Sequence, residues 1–231
     1  MADNEKKVIV FIVEGPSEEA AMGTVMKEYF AGELVQFVVV HGDITMQDYA
    51  NAANIIKKIN QCLDLLKQRY RYKNSDFFQI IHLADTDGVF IKDEFVQQAE
   101  VGQVRYYEDH MESGSVEATR NRNRSKAEVL FKLRTAGKVN SIPYRIYYNS
   151  CNLEHVLYDQ QQVFSGEEKT AMSDAFAEKY EGHLEEFLAF IADPKVAVPG
   201  SYQETWGFIE KELNSLSRYT NMHQIFEDKR V

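Results

Sequence analysis

The sequence is poor in residues that staple, break or loosen a chain. Its 231 residues include two cysteines, Cys62 and Cys151, far apart and in no Cys-x-x-Cys pair. Neither a disulfide framework nor a cysteine zinc centre is expected, and a reducing compartment is. Only 4 prolines and 12 glycines occur, too few for long unstructured linkers. No apolar run approaches the length that crosses a bilayer. The opening Met1-Ala2-Asp3-Asn4-Glu5-Lys6-Lys7 has no secretory character. These absences lead us to expect a cytoplasmic protein without a membrane partner. Nucleotide cradles of the Gly-x-Gly-x-x-Gly and Gly-x-x-x-x-Gly-Lys-Ser/Thr kinds are also missing.

Positive charge is the other scarcity. Lys and Arg number 26 against 36 Asp and Glu, a net of −10, and residues 151–231 hold 15 of the acids but 7 of the bases. Such a protein binds nucleic acid poorly through bulk charge, because neutralising phosphates takes clustered cations. One local run offers them: Arg120, Arg122, Arg124 and Lys126, within seven residues. Guanidinium groups suit phosphate oxygens, so this run is the candidate nucleic-acid contact. The alternative is a solvated loop paired to Glu117 or Glu128.

What the chain does have is apolar runs. Residues 8–13 (Val-Ile-Val-Phe-Ile-Val) lie between Lys6-Lys7 and Glu14-Gly15-Pro16, and read as a strand buried on both faces. Residues 34–40, 77–84 and 144–148 read as three more strands. Residues 17–31 and 49–70 read as helices, the second carrying Ile55, Ile56, Ile59, Leu63 and Leu66 at helical spacing. Strand alternating with helix implies βαβ units and a parallel sheet. Residues 99–124 read as a polar loop around a short edge strand at 104–107. Ser125 and Glu128 then make a capping box for a helix over 126–136. The expectation is an α/β domain over residues 6–160, with a mainly parallel four-stranded sheet flanked by helices. A C-terminal helical extension over 161–231 packs on the same domain.

Acids stand where the strands end: Glu14 after the first, Asp85 and Asp87 after the third, Glu154 just after the fourth. Carboxyl ends of strands are where open α/β sheets bind ligands. Converging carboxylates repel unless a cation or a shared proton neutralises them, and Mg²⁺ takes such oxygens. The i, i+2 spacing predicts that Asp85 and Asp87 face one ion together. His41 ends the second strand and approaches the same edge. His82 reads as a satisfied core or edge residue, and His155 faces Asp159 one turn on as an orienting pair. No lysine is evident near the acids.

The run Ile12-Val13-Glu14-Gly15, the later Asp85-Thr86-Asp87 and the element Asn149-Ser150-Cys151-Asn152-Leu153-Glu154 resemble the Toprim-fold family. Within it they look most like the RloB-like, abortive-infection (phage-defence) branch. The likeness covers about residues 6 to 160. Gly15-Pro16-Ser17-Glu18 departs from the more usual Gly-x-x-Asp, so Glu18 carries no role over. The resemblance implies a Toprim-like Rossmannoid domain that binds Mg²⁺ or Mn²⁺ through Glu14, Asp85 and Asp87. It implies hydrolysis of nucleic-acid phosphodiesters, with Glu154 as a further ligand or base. The expected partners are DNA or RNA, and a protein such as an ATPase of a defence system. Two alternatives stand beside this. One is a non-catalytic nucleic-acid or protein-binding module on the same fold. The other is a phosphatase like the haloacid dehalogenases, whose first motif Asp85-Thr86-Asp87-Gly88 also resembles, with Asp85 as nucleophile.

Overall fold

In a computed structural model of the chain, residues 7–40, 42–46 and 49–227 are described; His41 lies outside them. The chain opens with β1 (Val8–Val13), α1 (Pro16–Tyr29), β2 (Leu34–Val39), α2 (Ile55–Tyr70) and β3 (Phe77–Asp85). Three short strands follow, β4 (Val96–Gln98), β5 (Arg105–Tyr106) and β6 (Met111–Ser113), then the long α3 (Val116–Arg134). The hairpin β7 (Lys138–Val139) and β8 (Ile142–Asn149) leads to α4 (Leu153–Tyr158), α5 (Gly166–Tyr180), α6 (Leu184–Ile191), α7 (Tyr202–Ile209) and α8 (Gln224–Glu227).

The main sheet has the order β2-β1-β3-β8-β7. Its first four strands are parallel, and β7 adds an antiparallel edge to β8. The fifth strand escapes the sequence reading because its turn is Asn140-Ser141. Both residues adopt positive φ (49° and 70°), the geometry of a two-residue hairpin turn, without the glycine that usually signals it. Every residue of β1 is buried, as the continuous apolar run requires. Alternate side chains feed two cores. Val8, Val10 and Ile12 pack with Ile59 and Leu63 of α2, Val129 and Leu133 of α3 and Trp206 of α7. Ile9, Phe11 and Val13 pack with Met22 and Met26 of α1, Phe176 of α5 and Phe187 of α6. The result is a helix–sheet–helix sandwich.

Two readings change. The 99–124 segment is not mainly loop: β4, β6 and β5 form a small second sheet, and α3 begins at Val116, ten residues before the expected start. Its first turns bury Thr119 and Asn123, so no apolar period marks them. The C-terminal helices also fill both core layers. The Asn221 side chain accepts from the Tyr148 N–H (2.8 Å) and donates to Thr205 Oγ1 (3.1 Å), while Thr220 Oγ1 donates to the Tyr148 carbonyl (2.7 Å). Asn221→Ala leaves the buried N–H of a central strand unpaired and should cost about 1–3 kcal/mol. Urea denaturation should show a lower midpoint with an unchanged slope.

Candidate functional site

From β1 the chain passes through α1 to β2 on one side, and then through α2 to β3 on the other. α1 and α2 cover opposite faces. The crevice at the carboxyl ends of β1 and β3 is therefore the topological switch point of the sheet, where such folds bind ligands. Glu14 and Asp85 occupy it, and the Asp85 N–H donates to Glu14 Oε1 (3.2 Å).

Glu14 continues the phase of Val8, Val10 and Ile12, toward α2 and α3. There the ammonium of Lys126, from the middle of α3, is fully buried. Its Nζ lies 2.5 Å from Asp43 Oδ2 and 2.6 Å from Asp87 Oδ2. Burial works to lower the pKa of this ammonium, but Asp87, Asp43 and Glu14 outweigh it and hold it well above the ordinary lysine value. Glu14 is pushed the other way. Burial, then the Asp43 carboxylate, raises its carboxyl well above the usual range, against the pull of Lys126.

Asp85 follows the phase of Ile81 and Leu83, toward α1 and α5. Its Oδ1 accepts from the Asn149 side-chain amide (3.1 Å). Burial, then Glu18 and Glu154, raises its carboxyl well above the usual range. Glu154 is itself buried and paired with Lys169 of α5 (2.6 Å). Glu18, doubtful from sequence, belongs to this group. Its Oε2 accepts from the Gly15 N–H (2.9 Å), and burial raises its pKa.

Asp85 and Asp87 thus bond to different partners, Asn149 and Lys126, while both carboxylates act on Glu14. Asp87 adopts a left-handed φ of 49°, and Gly88 follows at 62°, so the chain leaves the strand between them. Only glycine suits position 88, because a Cβ there would run into Met111 and Leu216. The turn is fastened to the end of β8: the Thr86 N–H donates to the Asn149 carbonyl (2.9 Å) and the Asp87 N–H to the Cys151 carbonyl (2.8 Å).

The basic run also differs from expectation. Arg120 donates twice to the Asp93 carbonyl (3.0 and 2.7 Å), and Arg124 pairs with the Asp93 carboxylate. Arg122 donates to the Asp87 carbonyl (3.3 Å), Asn123 Oδ1 (2.8 Å) and the Tyr106 hydroxyl (3.3 Å). Lys126 is no surface contact at all, because α3 turns it into the acid cluster. The lysine sought near the acids is therefore present. Asp43, four residues past the end of β2, joins the cluster although it does not stand directly at a strand end as Glu14 does. His82 bonds through Nδ1 to the Tyr144 hydroxyl (2.7 Å) but leaves Nε2 without a partner among the described residues; burial, then Lys126, lowers its pKa to about 3. His155 does not pair with Asp159, which binds Arg218 instead (3.2 Å). Its Nδ1 has no partner among the described residues, and burial lowers its pKa to about 4.

The donor chemistry fits a hard divalent cation, since Glu14, Asp43, Asp85 and Asp87 offer carboxylate oxygens and little else. The present arrangement preforms no complete ligand set. Among the described residues no three His, Cys, Asp or Glu side chains stand grouped to hold a metal ion, and Lys126 is already hydrogen-bonded to Asp43 and Asp87. No model of a known family, no curated protein and no solved structure matches this chain.

Proposed function

We propose that this carboxylate edge is a divalent-cation site for phosphodiester hydrolysis, on the Toprim-like plan that the sequence resembles. The observation that carries the reading is the packing of Glu14, Glu18, Asp43, Asp85, Asp87 and Glu154 at one switch point with two ammonium groups, Lys126 and Lys169, beside them. Glu14, Asp85 and Asp87, with Asp43 beside them, are the residues that would hold Mg²⁺ or Mn²⁺. When bound, such an ion activates water and neutralises charge on the phosphoryl oxygens. The chain's own groups do the rest. Asn149 orients the Asp85 carboxyl, and the Asp85 N–H orients that of Glu14. Burial and the neighbouring acids raise both carboxyls above the usual range, so each takes up a proton more readily than a solvated acid does. Lys126 supplies positive charge beside Asp87. Nucleic acid as the substrate class rests on the resemblance. Arg120 and Arg124 support it to the extent that they can exchange Asp93 for phosphate oxygens.

One observation favours a second reading. The Lys126 ammonium already sits between Asp43 and Asp87, which is how a fold that has lost its metal would neutralise them. A non-catalytic binding module would keep that arrangement. Melting curves separate the two. Under the cation reading, millimolar Mg²⁺ or Mn²⁺ raises Tm through binding to the native state, and Asp87→Asn weakens the rise. Curves that ignore both metals would favour the binding module.

A further inference from the structure

The parallel sheet ends at β2, whose outer edge pairs with no strand among the described residues. Leu34 and Val40 donate their N–H groups to the Lys7 and Val13 carbonyls. Residues of that phase bond to β1, so Val35, Phe37 and Val39 turn their N–H and C=O groups outward. Exposed edges are usually blunted by lysine, proline or a bulge. Leu34-Val35-Gln36-Phe37-Val38-Val39 has none, and it runs in unbroken register with β1. A groove of about 700 Å³ follows the edge between α1 and α2, lined by Val35 to Val39 and by Glu19, Lys27, Leu65 and Arg69. Leu65 is 67% exposed.

We infer that a second copy of this chain docks on this edge, β2 pairing antiparallel with its own counterpart about a two-fold axis. Charge complementarity selects this occupant. α1 runs antiparallel to β2, as the helix of a βαβ unit does, so Glu19 lies toward the Val39 end and Lys27 toward the Val35 end. Both are exposed, and neither has an ion-pair partner among the described residues. Each is four residues from Gly23, whose missing Cβ would stand 4.0 Å from the Phe37 ring at the middle of the strand. An axis through that point sets Glu19 opposite Lys27 of the partner subunit, twice. The same axis brings the exposed Leu65 side chains toward each other and satisfies the outward backbone groups of both strands. A strand from an unrelated protein has no reason to match both charges. This inference does not depend on the cation reading.

The test is sedimentation equilibrium of the full chain at micromolar concentration, with hydrogen exchange alongside. The wild type should sediment at twice the chain mass, with the amides of Val35, Phe37 and Val39 protected as concentration rises. Lys27→Glu replaces two attractive pairs by two repulsive ones and should weaken the dimer by about tenfold or more. Glu19→Lys should do the same. The swap of both together should return the dissociation constant to within about threefold of wild type. Both positions are exposed, so an unchanged circular dichroism spectrum of the variants certifies the fold. A monomer at every concentration would overturn the inference, and so would a dimer indifferent to the charges or one whose β2 amides stay unprotected.

Discussion

Lys126→Met should be among the most damaging substitutions in the chain. It removes the fully buried ammonium that lies against Asp43 and Asp87 and leaves their part-buried carboxylates without a counter-charge. Breaking a buried ion pair from one side costs about 3–5 kcal/mol, a large share of the 5–15 kcal/mol that holds a typical domain together. The loss should depend on pH with a defined sign. Lys126 pulls the raised carboxyl of Glu14 downward, so without it that carboxyl binds a proton at still higher pH. The folded variant then holds more protons than its unfolded chain, and its stability rises as pH falls toward the ordinary glutamate value of 4.5. The gap between wild type and variant, read by urea denaturation, should therefore narrow from pH 8 to about pH 5. Millimolar Mn²⁺ should also return part of the lost stability, because a divalent cation can replace the ammonium. A variant as stable as wild type at pH 8 would contradict the picture of an acid cluster held together by this lysine.

Asp85→Asn should separate activity from stability in the opposite direction. The carboxyl of Asp85 is raised well above its ordinary 3.8 by burial, Glu18 and Glu154. A raised carboxyl contributes stability that is full below the unfolded value and lost as pH rises through the folded one, so at neutral pH it is a liability. Asparagine keeps the shape and can still accept from Asn149, without the charge. A gain of about 1 kcal/mol would raise Tm by roughly 2–4 °C in a chain of this size. Cation-dependent hydrolysis should meanwhile fall at least about a hundredfold, beyond what loss of an outer-shell partner costs. A destabilised variant, or an active one, would count against the role given to Asp85.

The sequence exposed the parts of this molecule governed by a single period. The run at Val8 is apolar on both faces, those at Leu34, Phe77 and Tyr144 are largely apolar, and an acid placed just after such a strand lies at the sheet's carboxyl edge. That logic put Glu14, Asp85 and Asp87 at this edge, but it does not reach Asp43, which stands four residues past the end of β2. What it could not reveal lies where polar groups do the packing. The first half of α3 buries Thr119, Asn123 and Lys126 at i, i+4 and i+7, a helical face written in polar letters, so an apolar-pattern reading sees a loop. Lys126 then looks like a member of a surface basic run because arginines flank it. Its burial is possible only because two distant acids meet it. The different partners of Asp85 and Asp87 have a local origin, the left-handed backbone at Asp87. The tie between Asn221 and Tyr148 spans 73 residues, a separation on which sequence periodicity is silent.

The central claim, that these acids hold a cation for phosphodiester chemistry, is tested most directly by hydrolysis itself. Labelled single- and double-stranded DNA and RNA should be incubated with wild-type protein and Asp85→Asn, in Mn²⁺ and in excess chelator. The account predicts cleavage of at least one substrate by the wild type in Mn²⁺, and none in chelator or with the variant. Cleavage that survives in Asp85→Asn or in chelator would contradict it, as would a wild type that binds Mn²⁺ yet cuts none of the four.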